Sequence, residues 1–86
     1  MKFKKGDVVT VRGWEEMAKE HPVEAFGIRV GKELFSKFMK PLCGKSAIVE
    51  EVVEGDQVYR LRPMAVEDLK LDWEWDFTDE VLKEGV

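Results

Sequence analysis

Eighty-six residues, 44% hydrophobic and 37% charged, describe one folded domain with one small core and exclude a disordered chain. The single cysteine, Cys43, excludes an intrachain disulfide and with it a secreted disulfide scaffold. The N-terminus MKFKKGD has no apolar signal core, and no run approaches the roughly 20 apolar residues of a membrane span, so the expectation is a soluble cytoplasmic protein with no membrane partner.

The formal charge of -4 hides a division along the chain. Residues 1–45 carry ten Lys/Arg against six Asp/Glu, whereas residues 46–86 carry four against twelve. An acidic half favours a partner with a basic surface and disfavours direct nucleic-acid binding. Trp14, Trp73 and Trp75, with five Phe, promise an aromatic-rich core.

In chain order, Asp7–Arg12 is β-branched and follows the turn residues Lys5-Gly6-Asp7, which predicts a strand with Val9 and Val11 inward. Helix formers from Trp14 to Glu20 predict at most two helical turns, closed by Pro22. Residues 23–31 contain two glycines and no clear period, and read as irregular or a short extended segment. From Lys32 to Leu42 the residues Leu34, Phe35, Phe38, Met39 and Leu42 fall at spacings of three and four, predicting an amphipathic helix that ends near Pro41. Ser46–Val53 and Gln57–Arg62 flank Glu54-Gly55-Asp56 and predict a hairpin with a bulge near Glu50 or Glu51. Leu69, Leu71, Trp73, Trp75 and Phe77 alternate with Lys70, Asp72, Glu74 and Asp76, predicting a half-buried strand with its carboxylates outward. Thr78 is then expected to cap a short terminal helical turn, with Val81 and Leu82 packing back.

The blocks KKGDVVTVRGWEEM, PLCGKSAIVEEV and WEWDFTDEVL, in that order, resemble a largely uncharacterised family of small SH3-like β-barrel proteins of phages and prophages. They cover about half of the chain. The resemblance implies a mainly β fold with short helices, a single SH3-like barrel over residues 1–86 with a helical insertion after the first strand, and a mobile-element setting. It supplies no catalytic residue. The stretch between Pro22 and Lys32 lacks the polar, Asp- and Cys-containing insertion associated with relatives, so no metal site is carried over from them.

Chemistry-bearing residues are few. His21, before a proline, is expected at the surface, and Cys43, between Leu42 and Gly44, in the core. Two soft ligands do not close a zinc site. Same-face residues of a strand lie roughly 6.6 Å apart, too far for Asp72, Glu74 and Asp76 to grip one ion. No phosphate loop or dinucleotide fingerprint is present, and no cofactor is expected.

Three binding functions follow. The first is a non-enzymatic phage-type inhibitor or adaptor of a host protein with a basic surface, most concretely a nucleic-acid-handling defence enzyme such as a Cas nuclease, making the chain anti-CRISPR-like. Asp72, Glu74 and Asp76, with Asp68, Asp79 and Glu80, would form a row resembling a phosphate backbone, anchored by exposed aromatics beside it. The bland reading is that these acids are the solvated face of an edge strand. The second function is a peptide-binding or assembly module with a groove near Trp14 and Tyr59. The third is nucleic-acid binding through Lys2, Lys4, Lys5, Arg12, Lys40 and Lys45; a hydrolytic enzyme ranks behind all three.

Overall fold

The valines that open the chain do form a strand, and that strand organises the molecule. A computed structural model describes residues 1–85. β1 (Val8–Val11) lies in the middle of an antiparallel four-stranded sheet of order β6-β5-β1-β7, where β5 is Ser46–Val53, β6 is Val58–Pro63 and β7 is Leu82–Glu84. Val9 and Val11 point inward and are fully buried, as their alternation requires. Register slips between Val49 and Glu51, so Glu50 is the extra residue of a bulge, and Ala47, Val49, Tyr59 and Leu61 all stay on the core face. The hairpin turn takes in Gln57, whose φ of 57° is left-handed.

Between β1 and β5 the chain inserts α1 (Trp14–Ala18) and a second antiparallel sheet of order β2-β3-β4, built from Val23–Glu24, Gly27–Val30 and Glu33–Ser36. Of the two readings of residues 23–31, the extended one holds, as two short strands joined by a turn. Gly27 marks the reason: a Cβ there would sit 2.2 Å from the Phe35 carbonyl oxygen, so only glycine lets β3 lie this close to β4.

The helix expected over Lys32–Leu42 is replaced by β4 and a 3-10 helix, Lys37–Leu42. The Ser36 hydroxyl accepts the Phe38 N–H at 3.1 Å, which starts the helix at Lys37, and Pro41 offers no donor for an α-helical bond. A 3-10 helix repeats every three residues. Met39 and Leu42 are thus buried together, while Phe38 turns outward.

The strand expected over Leu69–Phe77 is also absent. A 3-10 helix, Val66–Lys70, is followed by a coiled segment in which only Phe77 joins a sheet, exchanging two backbone hydrogen bonds with Tyr59. The segment satisfies its polar groups locally. Asp72 accepts the Glu74 N–H, the Trp75 N–H bonds the Trp73 carbonyl, and the indoles of Trp73 and Trp75 donate to the carbonyls of Asp68 and Asp72. Alternation of burial survives without the ladder: Trp73 and Phe77 are inside, Asp72, Glu74 and Asp76 outside, but Leu69 is exposed.

A one-turn 3-10 helix, Asp79–Val81, leads into β7, with Val81 and Leu82 buried. Thr78 stands at its N-cap position, yet the hydroxyl makes no capping bond and is buried without a partner. One apolar cluster spans both sheets, joining Val9, Val11 and Tyr59 to Ile28, Phe35 and Met39. The protein is mainly β with short helices. No strand pairing connects the two sheets among the described residues, so the expected barrel is not closed by hydrogen bonds. No helix among them is long and apolar enough to cross a membrane.

Candidate binding surfaces

Tyr59 is not a docking residue. Its ring has no solvent exposure. Its hydroxyl accepts the Phe3 N–H at 3.0 Å and donates to the Asp79 carboxylate, which also accepts the Lys2 N–H. Burial first, and then the Asp79 carboxylate, push the phenol up to about 12. Tyr59 and Asp79 thus form an internal latch that ties the N-terminal segment to the four-stranded sheet. Trp14 is half-buried, packed at 6.1 Å against Phe35, with the Lys40 ammonium 4.5 Å from its ring centroid. Tyr59 therefore offers no exposed surface to a groove shared with Trp14.

The acidic row is divided by its own partners. Asp68 is buried, and Lys45 lies 3.4 Å from its carboxylate. Asp76 pairs with Arg60 at 3.3 Å. That leaves Asp72, Glu74 and Glu80 exposed and without an ion pair among the described residues. The basic set is divided likewise. Arg12 bonds Glu16, Glu20 and the Glu80 carbonyl, so hydrogen bonding from Arg12 lowers both Glu carboxyls and the guanidinium is raised; Lys45 and Lys40 are held as described.

Two apolar surfaces remain that the pattern of the sequence did not reveal. On the Val66–Lys70 helix, Val66 and Leu69 stand three residues apart, on one side of a 3-10 turn, and are 79% and 62% exposed. Met64, 52% exposed, precedes them, Glu67 lies between them, and exposed Lys70, Asp72 and Glu74 follow. The second surface is aromatic. Phe26 and Phe38 are 65% and 70% exposed, and the Lys37 ammonium sits 5.3 Å and 5.5 Å from their ring centroids. The Lys37 N–H bonds the Phe26 carbonyl, which fixes the β2–β3 turn beside the start of the Lys37–Leu42 helix. The first surface arises from the three-residue repeat of a 3-10 turn, and the second from the β2–β3 turn meeting the start of the Lys37–Leu42 helix. The only sequence signal for them is Ser36 as a cap and the tight Pro63-to-Glu67 stretch.

Catalytic groupings are sparse. An open cleft of about 1090 Å³ runs along β7, lined among others by Lys2, Arg12, His21, Asp79 and Lys83. His21 is half-buried there, not fully exposed, and Cys43 lies outside the cleft, half-buried against the core, its thiol raised by burial. No group of three or more metal-ligating side chains occurs among the described residues. Comparison of the chain with family models, with curated proteins and with solved structures gave no match.

Proposed function

We propose that this chain is a non-catalytic, SH3-like binding protein of the phage and prophage type that docks on a host protein with a basic surface and blocks it. A nucleic-acid-handling defence enzyme is the most concrete target. The observation that carries the reading is the pair Val66 and Leu69, exposed on one side of a 3-10 turn with Asp72 and Glu74 just beyond it. Apolar side chains supply anchoring energy when a partner covers them, while flanking carboxylates speed the encounter and select basic partners. The anchors are aliphatic. They replace the aromatics expected beside the acids, since Trp73 and Phe77 belong to the core.

Support for the SH3-like description comes from the path of the chain. The antiparallel order β7-β1-β5-β6 continues into Phe77 through the Tyr59 bridge, and a single 3-10 turn precedes the last strand. That order supports the reading, with Phe77 standing where the fourth strand of a five-stranded SH3-like barrel would run.

The test is capture from host cells by the immobilised chain, followed by an activity assay on what is captured. Val66→Ser/Leu69→Ser and Asp72→Lys/Glu74→Lys should each weaken capture at least tenfold, and the parent chain should inhibit the captured enzyme. Equal capture by all three chains rules the reading out.

A further inference from the structure

We infer that Phe26, Phe38, Lys37 and Lys40 form a platform for single-stranded nucleic acid, with bases stacked on the two rings and phosphates on the two ammonium groups. The inference goes beyond the host-protein reading and does not depend on it.

Local backbone geometry brings these side chains together. The Lys37 N–H bonds the Phe26 carbonyl at 2.8 Å, which fixes the β2–β3 turn against the start of the Lys37–Leu42 helix. One ammonium then reaches both exposed rings: the Lys37 Nζ lies 5.3 Å from the Phe26 centroid and 5.5 Å from that of Phe38. In a 3-10 helix, residues three apart stand on one side, one turn or roughly 6 Å along the axis. Lys40 therefore stands on the same side as Lys37, its ammonium 4.5 Å from the Trp14 centroid. Burial along the helix follows the same rule, with Met39 and Leu42 inside and Phe38 and Pro41 outside.

The charge of this neighbourhood is positive although that of the chain is not. Residues 23–45 carry five Lys/Arg against two Asp/Glu, within a chain of formal charge -4. Of the two acids, Glu24 is paired with Arg29 at 3.1 Å, and Glu33 stands at the other end of β4 from Ser36, roughly 10 Å of strand away. Lys37 and Lys40 form no ion pair among the described residues. Glu15 follows Trp14 in α1 but points to another side, since adjacent helical residues do not face each other.

Two free ammonium groups select an anion, and two bare rings select a flat apolar surface. A single strand brings both in every unit, a base with a π-face and a phosphate. A duplex hides its base faces within its own stack, and a carboxylate-rich peptide brings charge with nothing to stack. On binding, Lys37 turns its ammonium from the rings to a phosphate and frees the ring faces for bases.

Fluorescence anisotropy of labelled oligothymidine with the full chain, from about 20 mM to about 200 mM salt, tests this. The expected result is saturable binding whose log K falls against log salt with a slope of about -1.4, as two phosphate contacts on a single strand require. Phe26→Ala and Phe38→Ala should each weaken binding at least about fivefold, whereas Phe38→Trp, which keeps a stacking face, should retain it. Lys37→Ala/Lys40→Ala should weaken binding and flatten the salt dependence. All four side chains are on the surface, and unchanged circular dichroism certifies the fold of each variant. The corresponding duplex should bind at least about tenfold more weakly. Absence of binding at the lowest salt, equal binding by the Phe→Ala variants, or equal binding of the duplex overturns the inference. So does saturation of these residues by polyglutamate or by phosphatidylserine vesicles with oligothymidine left free. Val66→Ser/Leu69→Ser should bind oligothymidine as the parent does while losing host capture, which separates the two readings.

Discussion

Replacing Tyr59 by Phe removes one oxygen from the interior and leaves the ring, so the change isolates a polar latch from the packing around it. The lost hydroxyl accepts the Phe3 N–H and donates to Asp79. A buried donor left without a partner costs about 1–3 kcal/mol, and a bond to a charged acceptor is of the same order, so the loss should total about 2–3 kcal/mol. For a domain of this size that corresponds to a fall in Tm of roughly 10–20 °C. Urea unfolding of parent and variant gives the difference, and amide exchange should show the Phe3 N–H losing protection before the β1–β5 ladder does. Alkali gives an independent reading. The phenol rises from 10.0 in the unfolded chain to about 12 in the fold, so the unfolded state loses its proton first. Stability from this group is complete below pH 10 and falls as pH rises towards 12, by about 2–3 kcal/mol. The Phe variant should lack that fall. A change in unfolding free energy below about 0.5 kcal/mol, or identical alkaline profiles, would refute the latch.

Other expectations are narrower. Gly27→Ala places a methyl against the Phe35 carbonyl and should cost at least about 2 kcal/mol, with exchange protection lost first in β3 and β4, as read by calorimetry and amide exchange. Phe77→Ala empties a fully buried ring site and breaks the packing that holds the coiled 71–76 segment; about 3–5 kcal/mol should be lost in urea titrations. Cys43, with its thiol raised by burial, should react with an aromatic disulfide more slowly in the folded chain than in urea, where the thiolate fraction and access both increase. Lowering pH through the usual Glu range and below should loosen the tie between β1 and α1, because hydrogen bonding from Arg12 holds the Glu16 and Glu20 carboxyls below that range; Arg12→Gln should remove the pH dependence of exchange in α1.

Three strands of the four-stranded sheet, β1, β5 and β6, were legible from their apolar patterns, whereas β7 was not, because Val81 and Leu82 read as the packed side of a terminal helical turn. Val9 and Val11 alternate cleanly, and the doubled apolar pattern at Ile48-Val49-Glu50-Glu51-Val52-Val53 announces the bulge found there. The inserted sheet was hidden by Leu34, Phe35, Phe38, Met39 and Leu42, whose spacing satisfies an α template although half of it is strand and half 3-10 helix. Ser36 capping Phe38 was the decisive local cue. Around Trp73 the pattern of burial was legible and the backbone was not, because two indole N–H groups and the Asp72 carboxylate provide bonds that a strand would seek from a neighbour. The candidate site suffered most. Exposure of the acids at 72 and 74 followed from the alternation, but the pairings of Asp68, Asp76 and Asp79 depend on Lys45, Arg60 and Tyr59, which are distant in sequence.

The central claim is that contact with another protein is made by Met64, Val66, Leu69, Asp72 and Glu74. Amide exchange on the chain, free and bound to its captured host protein, measures this directly. Slowed exchange confined to residues 64–76, and lost with Val66→Ser/Leu69→Ser, is the expected result. Protection centred instead on the cleft lined by Arg12 and Lys83, with residues 64–76 unchanged, would contradict it.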